Sequence, residues 1–385
     1  MENISLSKSK AKRIQGIIHF YKRMTSYKVS SKEKNCFYHL PLKQERNVTQ
    51  CALQALEGDT YQSEIGLADE IDTEQIPDPV PRGVFKPVTL SSGTPSLVMF
   101  DLETTDLIRG RQMPHITQLA AVEMETGSMY NNYILPKVPI TEEALNTTGI
   151  VVNSDLQKMT VHEKEVDAVN ITSGLTEFSN WLKNFPRAIL VAHNGRKFDF
   201  PVVMNTLHSL NLTNVLLSAV SGFTDSLSIF KKAFPGQPNY KQETLVKSLL
   251  DTTYSAHDAI EDVKTLGMLM KHSKISGPEI LPFTFPPIAV HHGLIFSKEK
   301  SKNITSLHVL IAKGIVKHNT AENIAGCGLN LSHLHKIFQR DGEDGLRAIF
   351  SQKTSDGQPR VSSTKRVLDS VIPKLVDYFE KQYET

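Results

Sequence analysis

The alternation of apolar and polar positions changes character several times along this chain. At 97–100 four apolar residues, LVMF, follow one another without a break, as in a strand covered on both faces. The run closes on Asp101 and Glu103, which lie two apart and therefore leave the same face of that strand. Shorter strand patterns follow at 116–124 (ITQLAAVEM) and 130–135, joined by a turn around Gly127, so the first three segments predict an antiparallel meander. A period near 3.6 appears at 173–185, where Leu175, Phe178, Trp181 and Leu182 share a face. AILVA at 188–192 reads as another buried strand, a helix begins near Phe198, and a strand-like stretch ends near Thr224. Three strands followed by alternating helices and strands predict an α/β fold, a mixed sheet flanked by helices. Beyond Pro287 the pattern becomes amphipathic-helical at 306–315, 332–338 and 367–378, with joints near Gly342 and Gly357. The division expected is an arm and linker over 1–92, a compact α/β domain over 93–287 and a small helical C-terminal extension over 288–385.

Composition sharpens the first of these. Lys8, Lys10, Lys12, Arg13, Lys22 and Arg23 make a basic opening, Glu64, Asp69, Glu70, Asp72 and Glu74 an acidic patch, and Pro77, Pro79, Pro81 and Pro87 a spaced series. That order predicts a disordered arm and then a stiff linker. The remainder of the 385 residues, 39% hydrophobic overall, suffices for a core. No run of eighteen apolar residues and no charged-then-apolar leader occurs, which predicts a soluble, intracellular protein of the cytoplasm or nucleus without a membrane partner. Cys36, Cys51 and Cys327 are too scattered for a disulfide framework, so Asn-x-Ser/Thr triplets such as Asn47 and Asn170 are read as chance matches. Cys327, His333 and His335 lack a fourth ligand at zinc-like spacing.

The candidate chemistry starts from Asp101 and Glu103. Two neighbouring carboxylates repel each other, and with no Lys or Arg in their strand a divalent cation is the simplest neutraliser. Further acids follow other predicted strands. HNGRKFDFP carries Asp199 into the first turn of a helix, and YSAHDAIEDV sets His257 at a helix mouth with Asp262 beyond it. Carboxylates from three separated segments fit an oxygen-lined site for one or two Mg²⁺ or Mn²⁺ ions better than a zinc site.

Taken together, FDLETT, VAHNGRKFDFP and HDAIED resemble the three motifs of the DEDDh family of 3′–5′ exonucleases, the second being most similar to the TREX branch. AVSGFTDSLSIFKKAFP and YKQETLVKSLL resemble, more closely still, the exonuclease-like segment at the C-terminus of the longest promyelocytic leukaemia protein isoform and in a free-standing relative. The resemblance covers about residues 96–272 and implies a ribonuclease-H-like fold. It implies two Mg²⁺ ions, replaceable by Mn²⁺, held by Asp101, Glu103, Asp199 and Asp262, with Asp101 bridging. It makes His257 the general base and Glu103, Thr104, Leu107, Phe198 and Asp262 the contacts to substrate. Thr148, Gly149 and Ile150 resemble a segment that packs on the terminal base pair, and Arg109, Arg111, Arg196 and Lys197 flank the motifs as candidate phosphate contacts. Asp106 stands where the family has glycine. DNA or RNA 3′ ends are the partners implied, and a homodimer is compatible with the resemblance. The alternative is a catalytically idle module that keeps the fold to bind nucleic acid or protein.

Overall fold

The computed structural model describes residues 76–90, 92–153, 158–275 and 277–382; of the expected arm and linker over 1–92, residues 1–75, with Cys36 and Cys51, lie outside the described residues. Three strands come first, β1 (Leu97–Thr104), β2 (Ile116–Glu123) and β3 (Met129–Ile134), paired antiparallel as the alternation predicts. After α1 (Glu142–Thr148), the strands β4 (Ile150–Asn153), β5 (Lys158–Val161) and β6 (Lys164–Val166) form a separate three-stranded sheet. Next come β7 (Ala168–Val169), α2 (Ile171–Leu182), β8 (Ala188–Ala192), α3 (Asp199–Ser209), α4 (Thr213–Leu217) and β9 (Val220–Asp225). The main sheet runs β10-β9-β8-β1-β2-β3-β7, where β10 is Thr284–Phe285. β8 lies parallel to both β1 and β9. This is the mixed, helix-flanked sheet that was expected.

Residue parity in β1 decides what the sheet presents to each side. Val98, Phe100 and Leu102 enter one apolar cluster with Phe178 of α2 and Phe200 of α3. Phe100 stacks between those two rings, with centroids 5.6 and 6.4 Å away. Leu97 and Met99 enter the opposite cluster, against Val263, Leu266 and Met270 of α7 (Ala259–Ser273). Burial of each such side chain stabilises the fold by about 1.5–3 kcal/mol. Asp101 and Glu103 continue the Leu97–Met99 face, so the acidic end of β1 meets the N-terminal turn of the helix that covers its apolar part.

Between β9 and α7 lie α5 (Ser226–Ala233) and α6 (Gln242–Leu250). The chain then leaves the sheet through α8 (Pro287–Asn303). The expected helix at 306–315 is broken into a 3₁₀ turn, Ile304–Leu307, and a short α9, His308–Ala312. α10 (His318–Gly326) and α11 (Leu331–Ser351) follow, the latter kinked at Gly342 (φ 60°), and α12 (Lys365–Glu380) ends the described chain. These helices bury a cluster of their own around Leu334, Phe350, Leu375 and Phe379. His333 caps α11 by accepting the Asn330 N–H, and His335 stacks on Phe379. The proline-spaced residues 76–90 cross this half as a strap. Val88 N–H donates to Thr284 O, Val80 N–H to Cys327 O, and Arg82 to Arg360 O. Buried Arg360 in turn donates to Pro77 O. No helix among the described residues is long and apolar enough to cross a membrane.

Candidate active site

A cavity of about 330 Å³ opens at the end of β1, where β8 passes into α3 and α7 begins. Its lining includes Asp101, Glu103, Thr104, Leu107, Phe198, Asp199, His257 and Asp262, so every predicted site residue reaches one cavity. Ligand atoms of Asp101, Glu103 and Asp262 all lie within 4.8 Å of one another. Asp199 is the deepest carboxylate, 3% exposed. Asp106 and Glu143 add two more acids, and the lining contains no Lys or Arg.

Local chain geometry fixes each of these groups. The turn between β8 and α3 uses Asn194 at φ 57° and Gly195, where a Cβ would come within 2.5 Å of Ala192 Cβ. Asp199 then opens α3, its carboxylate accepting its own N–H and that of Leu102. At the third motif Asp258 is the N-cap of α7, with Ile260 N–H donating to its carboxylate. His257 stands outside the helix, exposed and at φ 68°, while Asp262 falls in the first turn rather than deeper in the helix. Asp262 Oδ1 accepts the Tyr254 hydroxyl (2.7 Å) and Oδ2 accepts the His257 N–H (2.9 Å). Gln242 Nε2 donates to the Asp262 carbonyl (2.8 Å). Buried Gln118, opposite Glu103 on β2, donates to Asp258 Oδ1 (3.0 Å) and accepts the Ala259 N–H (3.2 Å). These bonds tie the helix mouth to the strand that carries the first two acids.

Burial without a positive neighbour makes ionisation costly. It is the main reason that Asp101 is held well above the carboxylate range, and Asp199, Asp262 and Glu103 add to it by repulsion. Glu103 is pushed up to about 8, first by burial and then by Asp262 and Asp199. Burial likewise raises Asp199 to about 7, against two backbone N–H bonds that favour its charged form. Asp262 is raised by burial too, although Tyr254 and the His257 N–H pull it back. Such a group of hard oxygen donors suits a divalent cation. Asp101, Glu103 and Asp262 are the residues that would hold one, with Asp199 beside them.

Other sequence expectations fall in different places. Thr148 lines the cavity, but Gly149 is the left-handed cap of α1, with the His162 ring where a Cβ would stand, and Ile150 is buried. Arg109 is taken up by Asp106 (2.7 Å) and Glu143 (3.1 Å). Arg196 lies 4.0 Å over the Phe85 ring, part of the strap. Reading by motif missed His193, Gln242, Tyr254 and Gln118. His193 stands inside the VAHN motif and lines the cavity, yet both its nitrogens are occupied, by Ser226 Oγ (2.9 Å) and Tyr240 O (2.7 Å). Burial lowers its pKa, and with both nitrogens engaged it walls the cavity rather than acting as a base.

Comparison with known proteins gives two family matches. Residues 98–270 match the family described as Exonuclease, and residues 303–382 match the one described as PML, C-terminal domain. The chain is 29% identical over 176 residues to a PolC-type DNA polymerase III of Halalkalibacterium halodurans, covering 45% of this chain and 11% of that one. It is 27% identical over 166 residues to an uncharacterized exonuclease, R569, of Acanthamoeba polyphaga mimivirus, covering 42% and 46%. It thus spans less than half the length of either relative. Among solved structures it is similar to Escherichia coli exonuclease I in complex with a dA13 oligonucleotide, with TM-score 0.37 and 18% identity over 56% of this chain and 45% of that one.

Proposed function

We propose that this chain is a metal-dependent 3′–5′ exonuclease of the DEDDh type that releases 5′-mononucleotides from DNA, with RNA as a second substrate. The observation that carries the reading is the convergence of Asp101, Glu103, Asp199, Asp262 and His257 on one cavity without a cationic side chain. Asp101, Glu103, Asp199 and Asp262 hold two Mg²⁺ ions, for which Mn²⁺ substitutes. Such ions would supply charge neutralisation for displacement at the phosphodiester, with these carboxylates as the residues that would hold them.

The protein's own groups do the rest. His257, exposed at the rim, takes the proton of the attacking water. Thr104 donates its hydroxyl to Asp106 O at 2.7 Å, which leaves its oxygen as an acceptor, and with Glu103 it holds the terminal sugar hydroxyl. Leu107, 58% exposed at the cavity edge, offers the apolar surface on which the terminal base packs. Phe198 lines the pocket, and Asp262 contacts the substrate beside the ions. The leaving group is the 3′ oxygen of the penultimate nucleotide. The PML C-terminal match beside the exonuclease match supports a relation to the exonuclease-like segment of promyelocytic leukaemia proteins, and hence an intracellular role on nucleic-acid ends.

The test is purified chain on 5′-labelled single-stranded DNA, duplex DNA and RNA side by side. Shortening ladders are expected with Mg²⁺ or Mn²⁺, strongest on DNA, and none in chelator. Unchanged substrates in every arm, with binding retained, would overturn the enzyme reading in favour of a binding module.

A further inference from the structure

The active cavity is lined by six carboxylates and no Lys or Arg, an environment that repels a polyanion. A substrate strand therefore needs cationic ground close by. The chain as a whole is nearly neutral, 43 Lys and Arg against 41 Asp and Glu, so any segregation of sign on its surface reflects placement.

Three adjoining cavities provide that segregation. The largest, about 540 Å³, lies between α3 and α8 and is lined by Arg111, His208, His291 and Lys298 among others. A second, about 280 Å³, shares Met113, Asn205 and Ser209 with it and adds His115 and Lys137. A third, about 340 Å³, shares His208 and His291. None of the three linings contains an Asp or Glu. Arg111, Lys137 and Lys298 are exposed, and none of the ion pairs among the described residues engages them.

Two elements join this groove to the active cavity. The loop after β1 lines the cavity at Asp106 and Leu107 and the groove at Gly110, Arg111 and Met113. Three peptide steps separate Leu107 from Gly110, a reach of at most about 11 Å. α3 likewise starts with Asp199 in the cavity and ends with Asn205, His208 and Ser209 in the groove, roughly 9–15 Å along its axis. A strand whose 3′ end sits against Leu107 meets the groove within a few nucleotides.

Resting on the nuclease reading above, we infer that this groove is the binding track for the sugar–phosphate backbone upstream of the cleaved end. Arg111, Lys137 and Lys298 contact phosphates, and the histidines and amides donate hydrogen bonds beside them. α8 lies outside the span of the exonuclease match, so this track is assembled partly from chain that the family motifs do not cover.

Binding tests it without needing turnover. Fluorescein-labelled oligothymidylate and oligouridylate of about fifteen nucleotides are titrated with the Asp101→Asn protein, and with the same protein carrying Arg111→Ala, Lys137→Ala and Lys298→Ala, over a range of salt. All three added changes are at exposed side chains. Affinity should fall roughly tenfold or more at about 0.1 M salt, and the log–log salt slope should shrink by about 2, near 0.7 for each phosphate of a single strand that is no longer neutralised. Equal losses on both probes mean that the backbone is read; a loss on one probe alone would overturn that. A control with Lys183→Ala, Lys365→Ala and Arg366→Ala should keep the original slope. An unchanged slope in the groove variant, or the same loss in the control, would overturn the track. Should the unmodified chain cleave nothing while the groove variant still loses slope, the nuclease reading falls and the track stands.

Discussion

Asp101→Asn is expected to lower turnover by roughly 10³-fold or more, the scale of losing a principal electrostatic element of a transition state. The same change should raise the melting temperature of the metal-free protein at pH 8. The two effects have one origin. Asp101 is surrounded by Glu103, Asp199 and Asp262, so its charge holds cations and in their absence destabilises the fold. The sign with pH follows. Glu103 rises from 4.5 to about 8 on folding and Asp199 from 3.8 to about 7, so the folded state keeps protons that the unfolded chain gives up. Stability without metal is thus complete below the ordinary carboxylate range and declines as pH rises towards about 8, by about 1.4 kcal/mol for each pH unit that one such group traverses between its two values. Asn at 101 removes one charge and relieves its neighbours, so the variant should gain several degrees at pH 8 and little at pH 4. Mg²⁺ or Mn²⁺ should restore the unmodified protein and do less for the variant. Thermal melts of both proteins across pH, with and without chelator, read all of this. A variant that melts lower than the parent at pH 8 in chelator, or that keeps full activity, would contradict it.

The second large effect is expected at His257. His257→Asn should lose about 10² to 10⁴ in kcat with little change in the affinity for a 3′-ended oligonucleotide, as for removal of a general base. Asn is chosen because φ at this position is 68°, a left-handed conformation that Asn tolerates better than Ala. The backbone N–H at 257 still reaches Asp262 Oδ2, so that carboxylate stays oriented. Single-turnover rates separate the chemical step from binding. An unchanged single-turnover rate would remove His257 from the chemistry, and a fall in affinity that accounted for the whole loss would recast it as a binding residue.

The acidic end of β1 and its partners were legible in the sequence because local rules carried them. An unbroken LVMF run gives a buried strand, and parity puts Asp101 and Glu103 on the face of Met99. What closes the site was not legible, since it depends on contacts far apart in the chain. Gln118 reads as an ordinary polar residue in a strand, and only the pairing of β2 with β1 brings it to Asp258. Tyr254 and Gln242 give no signal of their own until α6 and α7 pack together around Asp262. The β4–β6 sheet escaped notice because its tight turn uses His162 and Glu163 at positive φ, where no Gly or Asn advertises it. The helix expected at 306–315 failed at its ends, since amphipathic spacing cannot distinguish a 3₁₀ turn followed by five helical residues from one continuous helix.

Polarity and product are both read from a single product analysis. Linear single-stranded DNA with a free 3′ hydroxyl and its closed circle are incubated separately with the chain and Mg²⁺, and products are resolved by mass. If Glu103 and Thr104 hold the terminal sugar and water attacks the last phosphate, the linear strand yields 5′-mononucleotides and the circle stays intact. Internal fragments from the circle, or 3′-mononucleotides from the linear strand, would contradict it.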